Sequence, residues 1–502
     1  MTVSTENLRL VLGLKLRALR LKQGLPLKDV AEKAGMAVSY LSEIEKGKKY
    51  PKAEKLLDLS RALEVPFDDL VSLRVDEDLS PLKTFAGSNF LQEFPFELFG
   101  VKPEDLFDLV SEDPARAGAL VRTFIEISQR YDLQVEHFLF AALRSYQQLH
   151  ANYFPDLEDT AAAFRRREGL GASEPPSPER LRQLLQRRHG YRVDETSLSG
   201  HPELAGLRSV LARPSPPLLL VNPRLLPAQR AFILARELGY LELGLRERPR
   251  TSSWLKVESF NQVLNNFKAS YFAGALLMDR ERVVADLAEI FRAERWNPEF
   301  LLRGMQRYRA TPEMLFYRLT ELVPRFFGLK EIYFLRFGHH EGSDRFSLTK
   351  ALNLSRVPVP HGVGPEETYC RRWLVLGLLG ELAARRRSGD PIAAPIARAQ
   401  KAAFLSDGVE FFVVAAARPL ALAQRADSAV SVGFLINDAF RSTVRFADDP
   451  AVPRREVNLT CERCPLPDCA ERAGPPALAE RERQTARREA ALAELLRSLP
   501  AS

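Results

Sequence analysis

The four cysteines are the residues of this chain with the clearest capacity for chemistry. Cys461, Cys464 and Cys469 form a C-x2-C-x4-C segment, and Cys370 lies earlier in the chain. A C-x2-C loop directs two sulfurs at one centre, and four thiolates suit either a tetrahedral zinc ion or an iron–sulfur cluster. Zinc is usually held by two paired C-x2-C loops, whereas a close trio with a distant fourth cysteine is more typical of a [4Fe–4S] cluster. The spacing therefore favours [4Fe–4S], with zinc and free buried thiols as the alternatives.

A second set of candidate residues lies in the segment 226–243, which has helical periodicity and follows the extended stretch 218–222. This order of elements resembles the core of ImmA/IrrE-type metallopeptidases, whose helix bears the motif H-E-x-x-H. The motif needs two histidines that bind one zinc ion and a glutamate that acts as general base. Here the matching residues are Arg236, Glu237 and Tyr240. Both histidines are absent, so we predict no zinc and no peptidase activity at this position.

A fold that has lost its metal can keep its cleft for another ligand. In the ImmA/IrrE pattern the third metal ligand would fall near Asn266 or Lys268, neither of which is a carboxylate. The predicted cleft floor carries two cations, two amides and two tyrosines: Arg236, Tyr240, Asn265, Asn266, Lys268 and Tyr271. Cations and amides beside an apolar helix suit a ligand with phosphates and a short apolar tail. The alternative is that each cation is merely solvated or ion-paired.

The elements that could connect such sites to function begin at the N-terminus, in residues 26–47. Apolar residues recur there with helical spacing in two short segments, and Gly35 between them permits a tight turn. Pro26 suits the start of the first helix, while Ser39 and Gly47 suit the start and end of the second. Two short helices joined by a turn on a basic segment are typical of a helix-turn-helix.

The flanking helices strengthen this prediction. The segments LKLRALRLKQGL, LKDVAEKAGMAVSYLSEIEKGKKYP and LLDLSRALEVPFDDL resemble the lambda-repressor-like (XRE) DNA-binding domain. Its second short helix reads base edges in the major groove of duplex DNA. We expect the base-contacting residues to be Ala37, Val38, Ser39 and Glu43, and the phosphate-contacting residues to be Tyr40, Lys46, Lys48 and Lys49.

Composition sets the frame for these motifs. The chain has 502 residues, 45% hydrophobic and 27% charged, which predicts about three globular domains. Its formal net charge of +7 suits a polyanionic partner. No stretch reaches the roughly 18 apolar residues of a membrane span, and the N-terminus lacks a signal-peptide pattern. We therefore expect a cytoplasmic protein without a membrane partner.

The periodicity predicts a mainly α chain with an α+β sensor region. Apolar runs at 332–337, 408–416 and 428–436 indicate strands, and residues 369–387 have a helical pattern. The predicted domains are a helix-turn-helix bundle at 1–75, a helical linker or dimerisation region at 90–165, a degenerate ImmA/IrrE-like ligand-binding domain at 178–350, a cysteine-cluster sensor domain at 355–475, and a charged helical tail at 476–502. For the sensor domain an α+β fold is predicted, with a GAF-like fold as the candidate.

The order of these parts resembles the short-chain fatty acyl-CoA regulator family of RamB- and PrpR-like proteins. The most specific segments are NYFPDLE, NNFKASYFAGALLM and CERCPLPDCAERAGPP. The resemblance implies a DNA-binding regulator of propionate- or acetate-type carbon and fatty-acid metabolism. It also implies that short-chain acyl-CoA is the effector and that a [4Fe–4S] cluster is bound by Cys370, Cys461, Cys464 and Cys469.

The predicted function is thus a non-enzymatic transcription regulator that binds a double-stranded DNA operator as a homodimer or larger homo-oligomer. Three alternatives come from other classes of protein. The first is a redox regulator whose iron–sulfur cluster is the only input, and the second is a zinc-stabilised regulator with no metabolite ligand. The third is a peptidase that cleaves a partner repressor, which the absent histidines argue against.

Overall fold

In the computed structural model the chain forms two compact units, residues 1–146 with 257–264 and residues 147–256 with 265–502. The structure describes residues 5–72, 135–171, 174–212, 216–252, 257, 259–355, 357, 363–364, 366–390, 395–406, 408–423 and 425–498. The predicted linker at 75–89 and the helix predicted from Asp113 onward lie outside the described residues. No described helix is long and apolar enough to cross a membrane.

The first unit contains the predicted five-helix bundle. Its helices are α1 (Thr5–Lys22), α2 (Leu27–Lys33), α3 (Val38–Glu45), α4 (Ala53–Ala62) and α5 (Phe67–Val71). Their apolar faces form one core that includes Leu16, Ala31, Leu41, Ile44 and Leu59. The bundle therefore has the helix order that the sequence predicted.

Two local features show how α3 is set into this bundle. Gly35 has a φ of 56°, so the turn before α3 uses the left-handed conformation that glycine tolerates. A Cβ atom on Gly13 of α1 would lie 2.6 Å from the carbonyl oxygen of Ile44, so the two helices pack closer than any larger residue permits. The prediction that Ser39 caps α3 was wrong. The cap position is Ala37, which has extended backbone and makes no side-chain cap hydrogen bond.

The helix predicted from residue 135 to residue 153 is shorter than expected. Helix α6 (Val135–Leu149) ends before Ala151 and Asn152, whose φ values of 47° and 53° form a turn. Phe154 is extended, as a residue before proline prefers, and α7 (Pro155–Arg167) then begins. Pro155 therefore divides what periodicity alone suggests to be one helix.

The second unit begins with a small mixed sheet and the helices around it. These elements are α8 (Pro178–His189), β1 (Arg192–Asp194), β2 (Ser209–Ala212), β3 (Leu218–Val221), α9 (Pro227–Glu242), α10 (Phe260–Leu277, whose first five residues belong to the first unit), α11 (Arg280–Phe291), α12 (Glu299–Arg307) and α13 (Pro312–Phe326). Strand β3 is central, parallel to β1 and antiparallel to β2. Helix α9 carries the degenerate metallopeptidase motif.

A six-stranded sheet dominates the rest of this unit, in the order β5-β4-β8-β7-β6-β9. Its elements are β4 (Ile332–His340), β5 (Phe346–Asn353), α14 (Leu374–Ser388), β6 (Ile396–Phe404), β7 (Glu410–Pro419), β8 (Ala426–Leu435), α15 (Asp438–Thr443) and β9 (Arg454–Val457), followed by α16 (Ala477–Ser498). One face packs against α11, α12 and α13, and the other against α14. The sheet thus includes two strands that precede residue 355, where the sequence placed the start of the sensor domain. A GAF-like fold for this region stays a prediction.

Candidate functional site

The predicted DNA-contacting residues form one surface on α3 and the turn that follows it. Ala37, Val38 and Ser39 are exposed at the start of the helix. Val38 is 43% exposed, which is high for an apolar residue and suits contact with a thymine methyl group. Because no side chain caps α3, its first backbone N–H groups also remain available to a partner.

The cations of this surface lie at the end of α3. Lys48 and Lys49 are exposed, and Lys46 is half-buried. The Lys49 ammonium lies 2.7 Å from the Glu43 carboxylate and 5.6 Å from the centre of the Tyr40 ring. Such an exposed ion pair contributes little to stability, so Lys49 can exchange its partner for a DNA phosphate. The structure brings together all eight residues that the sequence predicted here.

A buried ion pair that sequence reasoning missed positions this surface. The Arg20 guanidinium of α1 donates two hydrogen bonds to the Glu45 carboxylate at the end of α3, at 2.8 and 2.9 Å. A third goes to the Leu25 carbonyl at 3.1 Å. The hydrogen bond to Glu45 raises the pKa of Arg20, despite the opposing effect of burial. The available signal was a glutamate at an apolar position of α3, which needs a cation when buried.

The four cysteines come together although they belong to distant segments. An antiparallel bridge pairs Tyr369 with Thr460, and the Cys461 amide donates to the Thr368 carbonyl at 2.8 Å. Because Tyr369 takes part in this bridge, helix α14 begins at Leu374, whereas the sequence predicted a helix from residue 369. All four thiols are free and line one small cavity.

Three arginines, two glutamates and two leucines line this cavity together with the four cysteines. Burial raises the pKa of the Cys370 thiol. The backbone N–H groups of Asn458 and Arg372 stabilise the thiolate and so offset part of this rise. Arg472 donates to the carbonyls of Cys461 and Leu466 and so fixes the loop between them. Thiols that are buried beside cations and N–H donors are suited to bind metal as thiolates.

The fit of a metal group depends on its size. No three histidine, cysteine, aspartate or glutamate side chains of the described ranges are arranged to hold a single metal ion. The cavity that the four cysteines help to line has about 10 Å³ of space, which is the lower limit for one water molecule. The four thiols form a donor set that suits a thiolate-bound group.

The degenerate metallopeptidase position is filled by an arginine that the sequence did not identify. The Arg248 guanidinium lies 2.6 Å from the Glu237 carboxylate and donates to the Tyr191 hydroxyl at 3.0 Å. Tyr191 in turn donates to Glu237 at 2.8 Å. Arg248 also stacks on the Tyr240 ring at 4.8 Å. The retained glutamate is thus neutralised by a guanidinium, so it is no longer free to act as a general base.

The predicted ligand-binding residues differ in their hydrogen-bond and ion-pair partners. Tyr240 donates to the Asn266 side chain at 3.0 Å, and Asn265 donates to the Glu247 carbonyl at 2.8 Å. Lys268 and Arg236 are half-buried and form no ion pair with any residue that the structure describes. Burial raises the pKa of Tyr240 to about 12, so its hydroxyl stays protonated.

Tyr271, like Tyr240, is buried in the interior. It is 2% exposed and donates to the Glu158 carboxylate at 2.8 Å. Its hydroxyl also accepts from the Phe154 N–H at 3.3 Å. The expected position of Tyr271 on an open cleft floor was wrong, because its hydrogen-bond partners are buried with it.

Comparisons with known proteins agree with this arrangement. Residues 16–70 match the family model for a helix-turn-helix, and residues 187–320 match the model for an IrrE N-terminal-like domain. The HTH-type transcriptional regulator DdrOP3 of Deinococcus deserti is 31% identical over 120 residues, which cover 24% of this chain and 79% of the relative.

Two proteins of Mycobacterium tuberculosis are also similar. The transcriptional regulator ClgR is 43% identical over 58 residues, which span 12% of this chain and 52% of the relative's own length. A solved structure of a transcriptional regulator from that organism is 20% identical, with a TM-score of 0.45, and the match covers 67% of this chain and 93% of that one. The described surface of α3 and the match to DdrOP3 lead to one conclusion. This chain belongs to the family of helix-turn-helix-type transcriptional regulators.

Proposed function

We propose that this regulator carries a [4Fe–4S] cluster and changes its affinity for a double-stranded DNA operator when a short-chain acyl-CoA binds. The genes it controls would belong to propionate- or acetate-type carbon and fatty-acid metabolism. The observation that carries the proposal is the convergence of four thiols, from two distant segments, on one cavity. When bound, the cluster supplies a rigid link between Cys370 and the loop that contains the other three ligands.

A cluster is favoured over zinc by the spacing of the cysteines along the chain. A close trio, C-x2-C-x4-C, with a distant fourth cysteine is more typical of a [4Fe–4S] cluster than of a zinc ion held by two paired C-x2-C loops.

An acyl-CoA effector is supported by half-buried cations in the second unit. Arg236 lies on the same helix as Tyr240, and neither it nor Lys268 has an ion-pair partner among the described residues. Unpaired cations in a partly buried position suit the phosphates of a thioester ligand. Binding can alter DNA affinity only if the ligand prefers one of two conformations of the protein.

Anaerobic purification followed by native mass spectrometry tests these proposals together. We expect a mass increase for one cluster per chain, broad visible absorbance, and a homodimer or larger oligomer. Cys464→Ser should abolish the absorbance, whereas the matched control Ser388→Ala, an exposed serine of α14, should retain it. Zinc in place of iron, or full absorbance in Cys464→Ser, would contradict the cluster assignment.

The effector is tested separately by thermal shift. Propionyl-CoA and acetyl-CoA should raise the melting temperature of the full chain, because a ligand that binds only the folded state stabilises it. If no thioester stabilises the protein while the cluster is present, the regulator responds to the cluster alone.

A further inference from the structure

Four cations interact with one carboxylate in the second unit, and a fifth lies beside one of them, at a place that we name the cationic cleft. Arg208, Arg336, Lys350 and Arg418 interact with Glu313, and Arg236 lies near Arg208. Neither the predicted ligand residues nor the cysteine site includes this set, apart from Arg236. The six residues belong to α9, α13, three strands of the large sheet and the segment before β2.

Strand register places three of these cations on one face of the sheet. Arg336 of β4 is the direct partner of Lys350 of β5. Arg418 of β7 is opposite Ser428 of β8, whose hydroxyl accepts from Arg336 at 3.2 Å. Because side chains alternate along a strand, all three share the face that packs against α13.

Glu313, in the first turn of α13, lies close to two of these cations. Its carboxylate is 3.3 Å from the Arg336 guanidinium and 3.8 Å from the Lys350 ammonium. The Lys350 ammonium also lies 3.6 Å from the centre of the Tyr317 ring. The N-terminal end of α13 adds positive partial charge at the same place.

The cleft has more positive charge than its neighbouring carboxylates can neutralise. The cleft has five cations, whose neighbouring carboxylates are Glu313 and, at Lys350, Glu321. Arg208 and Arg236 have no ion-pair partner in the described parts of the chain. Burial lowers the pKa of Arg208, and the neighbouring Arg336 and Arg236 lower it further, against the attraction of Glu313. Burial alone would raise the pKa of Glu313, but Arg336 and Lys350 outweigh it and lower it to about 2. Both pKa shifts are those expected at a site where cations outnumber anions.

The cleft is nevertheless open to solvent. The accessible side-chain surface is 29% for Glu313, 40% for Lys350 and 18% for Arg336. A ligand in solvent can therefore reach these charged groups.

We propose that the cationic cleft binds a small molecule that carries two or more phosphate groups. Guanidinium groups in a fixed array match phosphate oxygens, and each such contact is a charge-assisted hydrogen bond. The identification of coenzyme A phosphates as the natural occupant rests on the proposed function, whereas phosphate binding itself does not. Nucleoside diphosphates and inorganic pyrophosphate share the same chemistry and serve as separate probes.

Isothermal titration of the full chain with coenzyme A, ADP and inorganic pyrophosphate tests this site. Arg208→Gln and Arg336→Gln should each weaken binding of the phosphate probe about 10- to 100-fold, the range for a lost hydrogen bond to a charged group. The matched control is Arg454→Gln, which removes an arginine that is 59% exposed and pairs with Glu410. It should leave the affinity unchanged within twofold, which excludes a general effect of lost surface charge.

Thermal melts of the ligand-free variants separate binding from folding. Because Arg208 has only like charges and one shared carboxylate around it, Arg208→Gln should raise the melting temperature without ligand while it weakens the ligand-induced shift. If Arg208 instead had a structural role, Arg208→Gln would lower the melting temperature of the ligand-free protein.

The outcomes distinguish this proposal from the proposed function. If no phosphate probe binds, or if both cleft variants bind like wild type, the cleft proposal is overturned. If coenzyme A binds equally to wild type and both variants, the thioester response stands and only its location is wrong. If ADP and pyrophosphate bind through the cleft but no acyl-CoA does, the cleft stands and the thioester response fails.

Discussion

Replacement of Glu321 by glutamine should make the second unit less sensitive to pH. Arg318 is fully buried and donates to both oxygens of Glu158, at 2.6 and 2.9 Å, and to Glu321 at 2.8 Å. Two buried carboxylates therefore share one guanidinium. Burial raises the pKa of Glu321 to about 7, because Arg318 offsets only part of its effect, whereas Arg318 lowers the pKa of Glu158 despite burial.

The sign follows from proton linkage. Between about pH 4.5, the ordinary pKa of a glutamate, and about pH 7, Glu321 is protonated in the folded state and ionised in the unfolded state. The stabilisation that comes from this proton is therefore complete below about pH 4.5 and is lost as the pH rises through 7. The difference between the two pKa values, at about 1.4 kcal/mol per pH unit, gives about 3 kcal/mol. Glu321→Gln retains an acceptor for Arg318 and cannot ionise. Its stability relative to wild type should therefore rise by up to about 3 kcal/mol between pH 5 and pH 8.

Urea unfolding of the full chain, followed by tryptophan fluorescence, measures this difference. All three tryptophans lie in the sequence of the second unit, so the signal reports that unit alone. Glu158→Gln is the matched control, since it removes the principal partner of Arg318 and should destabilise by about 3–5 kcal/mol at both pH values. Parallel pH profiles for wild type and Glu321→Gln would refute the assignment of the titrating group.

Three further predictions concern other parts of the chain. Lys48→Ala should weaken binding to all DNA sequences alike and reduce the slope of log affinity against log salt by about 1; an unchanged slope in a salt titration would exclude a phosphate contact. Glu45→Gln leaves the Arg20 charge buried without a carboxylate and should destabilise the DNA-binding bundle by about 3 kcal/mol. Hydrogen exchange in α3 should then be faster, and unchanged protection would show that the ion pair is dispensable. Gly433→Ala would place a Cβ atom 2.2 Å from the buried Tyr333 ring and should cost about 1–3 kcal/mol, measured as a lower melting temperature; an equal melting temperature would contradict the close approach.

The parts of this fold that the sequence predicts are those determined by short-range patterns. The helix-turn-helix depends on residues within one bundle, so periodicity and the turn at Gly35 identify it. The end of α6 at Leu149 was missed because the following residues continue a helical pattern, while the turn is decided by Asn152 and Pro155.

The parts that the sequence did not predict depend on pairing between distant segments. Arg336, Lys350 and Arg418 are far apart in sequence, and only the strand register places them on one face of the sheet. Likewise the partner of Glu237 is Arg248, a residue in the loop after α9 that no motif marks. The convergence of Cys370 with the other cysteines was predicted because thiols are so few in this chain.

The central claim is that α3 reads duplex DNA and that a thioester adjusts its affinity. Fluorescence anisotropy of the full chain with promoter DNA, in the presence and absence of propionyl-CoA, tests it most directly. The account predicts sequence-specific binding that weakens with salt and whose affinity changes at least fivefold with propionyl-CoA, the lower end of typical allosteric coupling. Equal affinity for promoter and unrelated DNA, with or without propionyl-CoA, would contradict it.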